Sequence, residues 1–99
     1  RRAGMRISIL GKHWTLKFVD ARTMPDARGA CESPDSPHKE IRVRKNLRGE
    51  EMLEVIIHEF LHAADWSKDD NDWIAPVAED IARVLFKLGY RRKGTDDAA

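Results

Sequence analysis

From Gly49 to about Asp65 the sequence repeats on a helical period, and this stretch narrows the possible folds more than any other. Leu53, Ile56, Ile57, Phe60 and Ala64 fall on one stripe, while Glu51, Glu54, His58, His62 and Asp65 fall on the other side. The acidic pair Glu50 and Glu51 complements the positive end of the helix dipole in the first turn. A helix of this length gains most of its stability by laying its apolar stripe on something else. The rest of the chain must supply that surface, and the polar side is left for chemistry.

Upstream, Ile7, Ile9, Trp14, Leu16 and Phe18 alternate with polar residues around Gly11 and Lys12, a pattern that predicts two strands in a hairpin. Residues 20–39 hold Pro25, Pro34 and Pro37 with little periodicity and read as loop, with Ala30-Cys31-Glu32 as a short edge strand inside it. Glu40 to Arg44 alternates again and predicts a strand with its charged side toward solvent. Downstream, the polar connector Asp69-Asp70-Asn71-Asp72 offers several N-caps for a second helix from Trp73 to Leu88. Pro76 is tolerated there only in the first turn, and Gly89 suits the C-terminal cap. The expected organisation is one α+β domain over residues 5–90, followed by a flexible tail, 91–99, that is basic and then acidic.

The first helix carries His58-Glu59-Phe60-Leu61-His62, two histidines four residues apart with a glutamate after the first. Residues at that spacing are neighbours on one helix face, so both imidazoles can reach one ion. Glu59 is turned about 100° from His58, which suits a carboxylate that reaches a metal-bound water rather than the metal. Zinc brings the pKa of such a water to about 7, and Glu59 can then accept its proton as general base.

A third ligand must come from another element, because side chains on one helix face approach the ion from nearly the same side. On the second helix, Asp80 shares a stripe with Arg83 and Lys87, whereas Glu79 lies beside Ala75, Ala82 and Phe86. The small and apolar neighbours favour Glu79 as the ligand. Asp65, one turn past His62, is a candidate to accept the free N–H of a ligating imidazole.

Other groups fit packing or solvent better than chemistry. His13 belongs to the hairpin, His38 to a loop and Tyr90 to a helix end, and Cys31 has no second cysteine to pair with. Arg42, Arg44, Lys45 and Arg48 form a basic cluster, as do Arg91, Arg92 and Lys93, but acidic neighbours and a net charge of only +1 weigh against a nucleic-acid surface.

The stretch from Ile56 to Ala63, together with Glu79-Asp80-Ile81-Ala82 and Leu85-Phe86, resembles compact bacterial and phage zincins of the gluzincin type. The likeness is to ImmA/IrrE-like domains and, more distantly, SprT-like ones. It spans most of the chain. The downstream stretch is similar to the ExxA pattern that supplies the third ligand in ImmA/IrrE-like proteins, which implies Glu79 in that role. SprT-like proteins use a histidine, and none follows His62. The resemblance implies a small antiparallel sheet packed on the metal helix and a C-terminal helix, with an edge strand able to pair with an extended peptide.

These readings make the expected function zinc-dependent hydrolysis of peptide bonds in a protein substrate. One zinc is held by His58, His62 and Glu79, with Glu59 as base. The alternative is a catalytically inactive zinc protein of a phage or bacterial assembly. With 99 residues there is no room for a separate recognition domain, so specificity falls to a short groove or a partner protein. The lone cysteine and the absence of a transmembrane-length apolar run predict a cytoplasmic protein with no membrane partner, and the resemblance implies a bacterial host or phage.

Overall fold

The computed structural model describes residues 4–93. Four strands and two helices follow one another as β1 (Met5–Ile9), β2 (Lys12–Val19), β3 (Gly29–Cys31), β4 (Glu40–Arg44), α1 (Gly49–Ala64) and α2 (Ala75–Lys87). The hairpin turns through Leu10 and Gly11, both with positive φ (50° and 80°), the conformation of a two-residue turn matched to strand twist.

The strands lie in the order β1-β2-β4-β3 in a single sheet. The pairs β1–β2 and β3–β4 are antiparallel, but β2 and β4 run parallel, with Leu16 opposite Ile41 and Phe18 opposite Val43. The expected antiparallel sheet is therefore a mixed one. A parallel pair needs a long crossover, and the prolines and turns of residues 20–39 supply it while placing β3 on the far side of β4.

One face of the sheet is apolar and meets α1. Trp14, Ile41 and Val43 pack there with Met52 and Val55, and Leu16 and Phe18 lie against them. The opposite face carries charges as expected: Glu40 pairs with Lys17 at 2.7 Å and with Arg42 at 2.6 Å.

The buried side of α1 differs from the expected stripe. Met52, Val55, Glu59 and Ala63 face the sheet, and Phe60 is exposed. The helix is covered on two sides, by the sheet and by α2, so its apolar residues spread beyond a single stripe. Ile56 and Ala64 pack at the margin of the core. The core face and the chemical face are thus not separate, because Glu59 sits within the former.

The second helical segment begins earlier than Trp73. Asp69 accepts a hydrogen bond from the Asp72 N–H (2.6 Å), and a π-helical turn, Asp70–Ile74, leads into α2. Pro76 falls in the first turn of α2. At its end Gly89 takes φ 98°, Gly89 N donates to Phe86 O, and Tyr90 N donates to Leu85 O, the paired bonds that close a helix on a glycine. Beyond it Arg91 stacks on Phe86 at 4.2 Å and Arg92 on Phe18 at 3.7 Å. The acidic end of the expected tail, residues 94–99, lies outside the described residues. No helix among the described residues is long and apolar enough to cross a membrane.

Candidate metal centre

His58 and His62 project from the last two turns of α1 at the border of its buried face, with ring centroids 5.0 Å apart. Each Nε2 lies 2.7 Å from the same oxygen, Oδ1 of Asp70. Asp70 opens the π-helical turn before α2, and that turn brings its carboxylate back over α1. Burial pushes the Asp70 carboxyl upward, but the two imidazoles beside it outweigh this and hold it below the ordinary range. One ligand atom from each of the three residues lies within 4.8 Å of the others. Two imidazole nitrogens and one carboxylate oxygen thus converge from two elements as a donor set of the kind that could hold a metal ion.

Glu79, expected as the third ligand, is exposed on α2 and does not join this cluster. The acid that does lie beside both histidines is Asp70. Asp80 is exposed as expected and pairs with Arg83 at 2.9 Å. Asp65 is occupied by the connector rather than by an imidazole: its Oδ1 accepts from Ser67 Oγ (2.6 Å) and Ser67 N (3.1 Å), which lowers its pKa.

Glu59 is 8% exposed and hydrogen bonds to no side chain among the described residues. Burial raises its pKa, against the pull of His58 and His62. It lines a small cavity of about 120 Å³ with His58, Val55, Arg28 and Gly29. The carboxylate and the first imidazole thus open into one space, at the start of β3.

β3 is the outermost strand of the sheet beside this cavity. Arg28 O accepts from Arg44 N, and Glu32 N donates to Glu40 O, so residues 28, 30 and 32 face β4. Gly29 and Cys31 therefore turn their N–H and C=O groups to the outer edge. Cys31, expected to be an inert small hydrophobe, is half-buried near Glu59, and its thiol is pushed up to about 12, first by burial and then by the Glu59 and Glu32 charges.

The remaining candidates lie elsewhere. His13 and His38 are exposed and line a separate cavity on the outer face of the sheet, and Tyr90 is exposed beyond α2. In the first basic cluster Arg42 pairs with Glu40 and Glu32, Arg44 donates to Met24 O and Pro25 O, and Lys45 pairs with Asp20. These charges are spent within the domain.

A sequence signal for Asp70 existed, since it lies eight residues past His62 in an acid-rich connector. Such a run reads equally well as helix caps, and Asp69 does cap. No protein-family model matches the chain, and no curated protein and no solved structure shows significant similarity to it.

Proposed function

We propose that the chain is a zinc-dependent metallopeptidase in which His58, His62 and Asp70 hold the metal and Glu59 is the general base. The observation that carries this reading is the convergence of both imidazoles on Asp70 at 2.7 Å, with Glu59 in the adjoining cavity. Zinc is the ion this nitrogen-rich set suits best, and when bound it would acidify a water and polarise a carbonyl.

Glu59 has the two properties the base needs. Its backbone position, next to His58, aims it beside the metal rather than at it, and its burial raises its pKa, so that it takes up a proton more readily than a solvated carboxylate. It accepts a proton from the attacking water and passes it to the departing amide nitrogen. The outer edge of β3 offers the N–H and C=O groups of Gly29 and Cys31 to an extended peptide, which would lie as a further strand along the cavity. Trp66, half exposed and edge-on to His62 at 6.2 Å, supplies an apolar rim for a substrate side chain.

The test combines metal analysis with cleavage of an unstructured protein substrate. One zinc per chain, with cleavage lost in Glu59→Gln while the zinc is retained, is the expected outcome. Zinc retained with no cleavage by the parent chain would leave a metal-binding protein without turnover. A chain that takes up no zinc would overturn the proposal.

A further inference from the structure

Helix α2 carries two apolar stripes, and α1 covers one of them. Ala78 and Ala82 are buried in the domain. The second stripe runs along Val77, Ile81, Val84 and Leu88, of which the last three are 39%, 56% and 68% exposed. These residues are spaced by four, three and four, the 3.5-residue repeat of a helix that packs along another helix. Ile81, Val84 and Leu85 with Asp80 line a depression whose wall is almost wholly apolar. A lone exposed leucine needs no explanation, but three exposed apolar positions in register on one helix do.

We propose that this seam pairs with the same seam of a second copy of the chain, antiparallel and about a two-fold axis. The charges beside it select both partner and direction. On the side away from α1 the seam is flanked by Asp80, whose Oδ1 accepts from Arg83 of its own helix at 2.9 Å while the side chain stays 73% exposed, and, seven residues on, by Lys87. In an antiparallel pair this flank meets its own reverse, so each Asp80 faces Lys87 of the other copy while Ile81 meets Val84 and Val77 meets Leu88. In a parallel pair the flank would instead meet Ala78 and Leu85, which offer no charge across the interface. Two α1–α2 pairs joined this way form a four-helix layer with a sheet on each outer side. The seam covers about three turns, well below the roughly 800 Å² per partner of a standard interface, so the dimer is weak and forms at high protein concentration.

Sedimentation of the whole chain from about 1 µM to about 1 mM tests this, with circular dichroism to verify that each variant is folded. A monomer–dimer equilibrium with Kd on the order of 10 µM to 1 mM is expected. Val84→Glu should abolish the dimer. Asp80→Lys, which sets two lysines against each other at both contacts, should weaken it roughly tenfold, and Asp80→Lys combined with Lys87→Asp should restore it. Three results would each overturn the inference: a monomer at every concentration, a dimer indifferent to Val84→Glu, or a double swap no tighter than the single one.

Discussion

Gly29 and Glu59 are so close that a Cβ on the glycine would stand 2.9 Å from Glu59 Oε2 and 3.0 Å from its Cγ, and 2.7 Å from Val55 Cγ1. The absence of a side chain on the edge strand therefore lets the strand lie directly over the proposed base. Gly29→Ala must displace Glu59, Val55 or the strand, at a cost of about 1–3 kcal/mol in stability. A base moved by about 1 Å loses on the order of 100-fold in rate. Peptide cleavage by Gly29→Ala should fall by about that factor with zinc content unchanged, because the atoms nearest the added Cβ belong to Val55 and Glu59 and not to a proposed ligand. A cleavage rate equal to the parent's would show that the base has no need of this close contact.

The third ligand is open to a direct comparison. Asp70→Ala removes a group 2.7 Å from both imidazoles and should weaken zinc binding by more than the roughly 10- to 100-fold typical of an outer hydrogen-bond partner. Glu79→Ala, on an exposed carboxylate outside the cluster, should leave binding as it is. Zinc at about 100 times its Kd should stabilise the parent domain by about 2.7 kcal/mol, or roughly 10–20 °C in Tm. Thermal melts with and without zinc on the three chains read the same ranking. Loss of the zinc-induced shift in Glu79→Ala but not in Asp70→Ala would return the role to Glu79.

The contrast between these two acids shows where local reading reaches and where it stops. Alternation and helical periodicity locate β1, β2, β4 and α1 because each depends on neighbours in sequence. The histidine pair and Glu59 are legible for the same reason. The parallel pairing of β2 with β4 is not, since strand order is a contact between residues about 25 positions apart. Helical periodicity turns Glu59 about 100° from His58 and puts it on neither stripe, whereas in the fold it occupies the middle of the buried face, where a carboxylate is costly to hold. Asp70 is hidden for a third reason: a five-residue π turn changes the helical phase ahead of α2, and no composition signals it.

Glu40 ties β4 to β2 across the outer face of the sheet. Lys17 at 2.7 Å holds its carboxyl below the ordinary value of 4.5; burial opposes this, and Arg42 at 2.6 Å adds to the lowering. A carboxylate whose folded pKa lies below its unfolded one contributes stability above the unfolded value, and that contribution is lost as pH falls through the folded value. Urea unfolding should therefore show Glu40→Gln less stable than the parent at pH 7, by about 1 kcal/mol or less for a partly exposed pair. The difference should shrink as the pH is taken from about 5 down to about 3. A difference that is constant over that range would mean that the charge on Glu40 is not what stabilises the parallel pair.

Cys31 provides a probe of the strand beside the proposed base. With its thiol near 12, only about one molecule in 10,000 is ionised at pH 8, four units below, whereas an ordinary exposed thiol is roughly a quarter ionised there. Alkylation by iodoacetamide at pH 8 should be far slower in the folded chain than in the chain unfolded by urea. Because the shift arises first from burial against α1 and next from the Glu59 charge, it tests the packing of β3 on the helix and not a property of the cysteine alone. Equal alkylation rates in the two states would mean that β3 opens from α1 faster than the reagent reacts, and that Gly29 does not hold a fixed position over Glu59. Slow alkylation would show that the edge strand stays packed on α1, as a rigid template for a substrate strand requires.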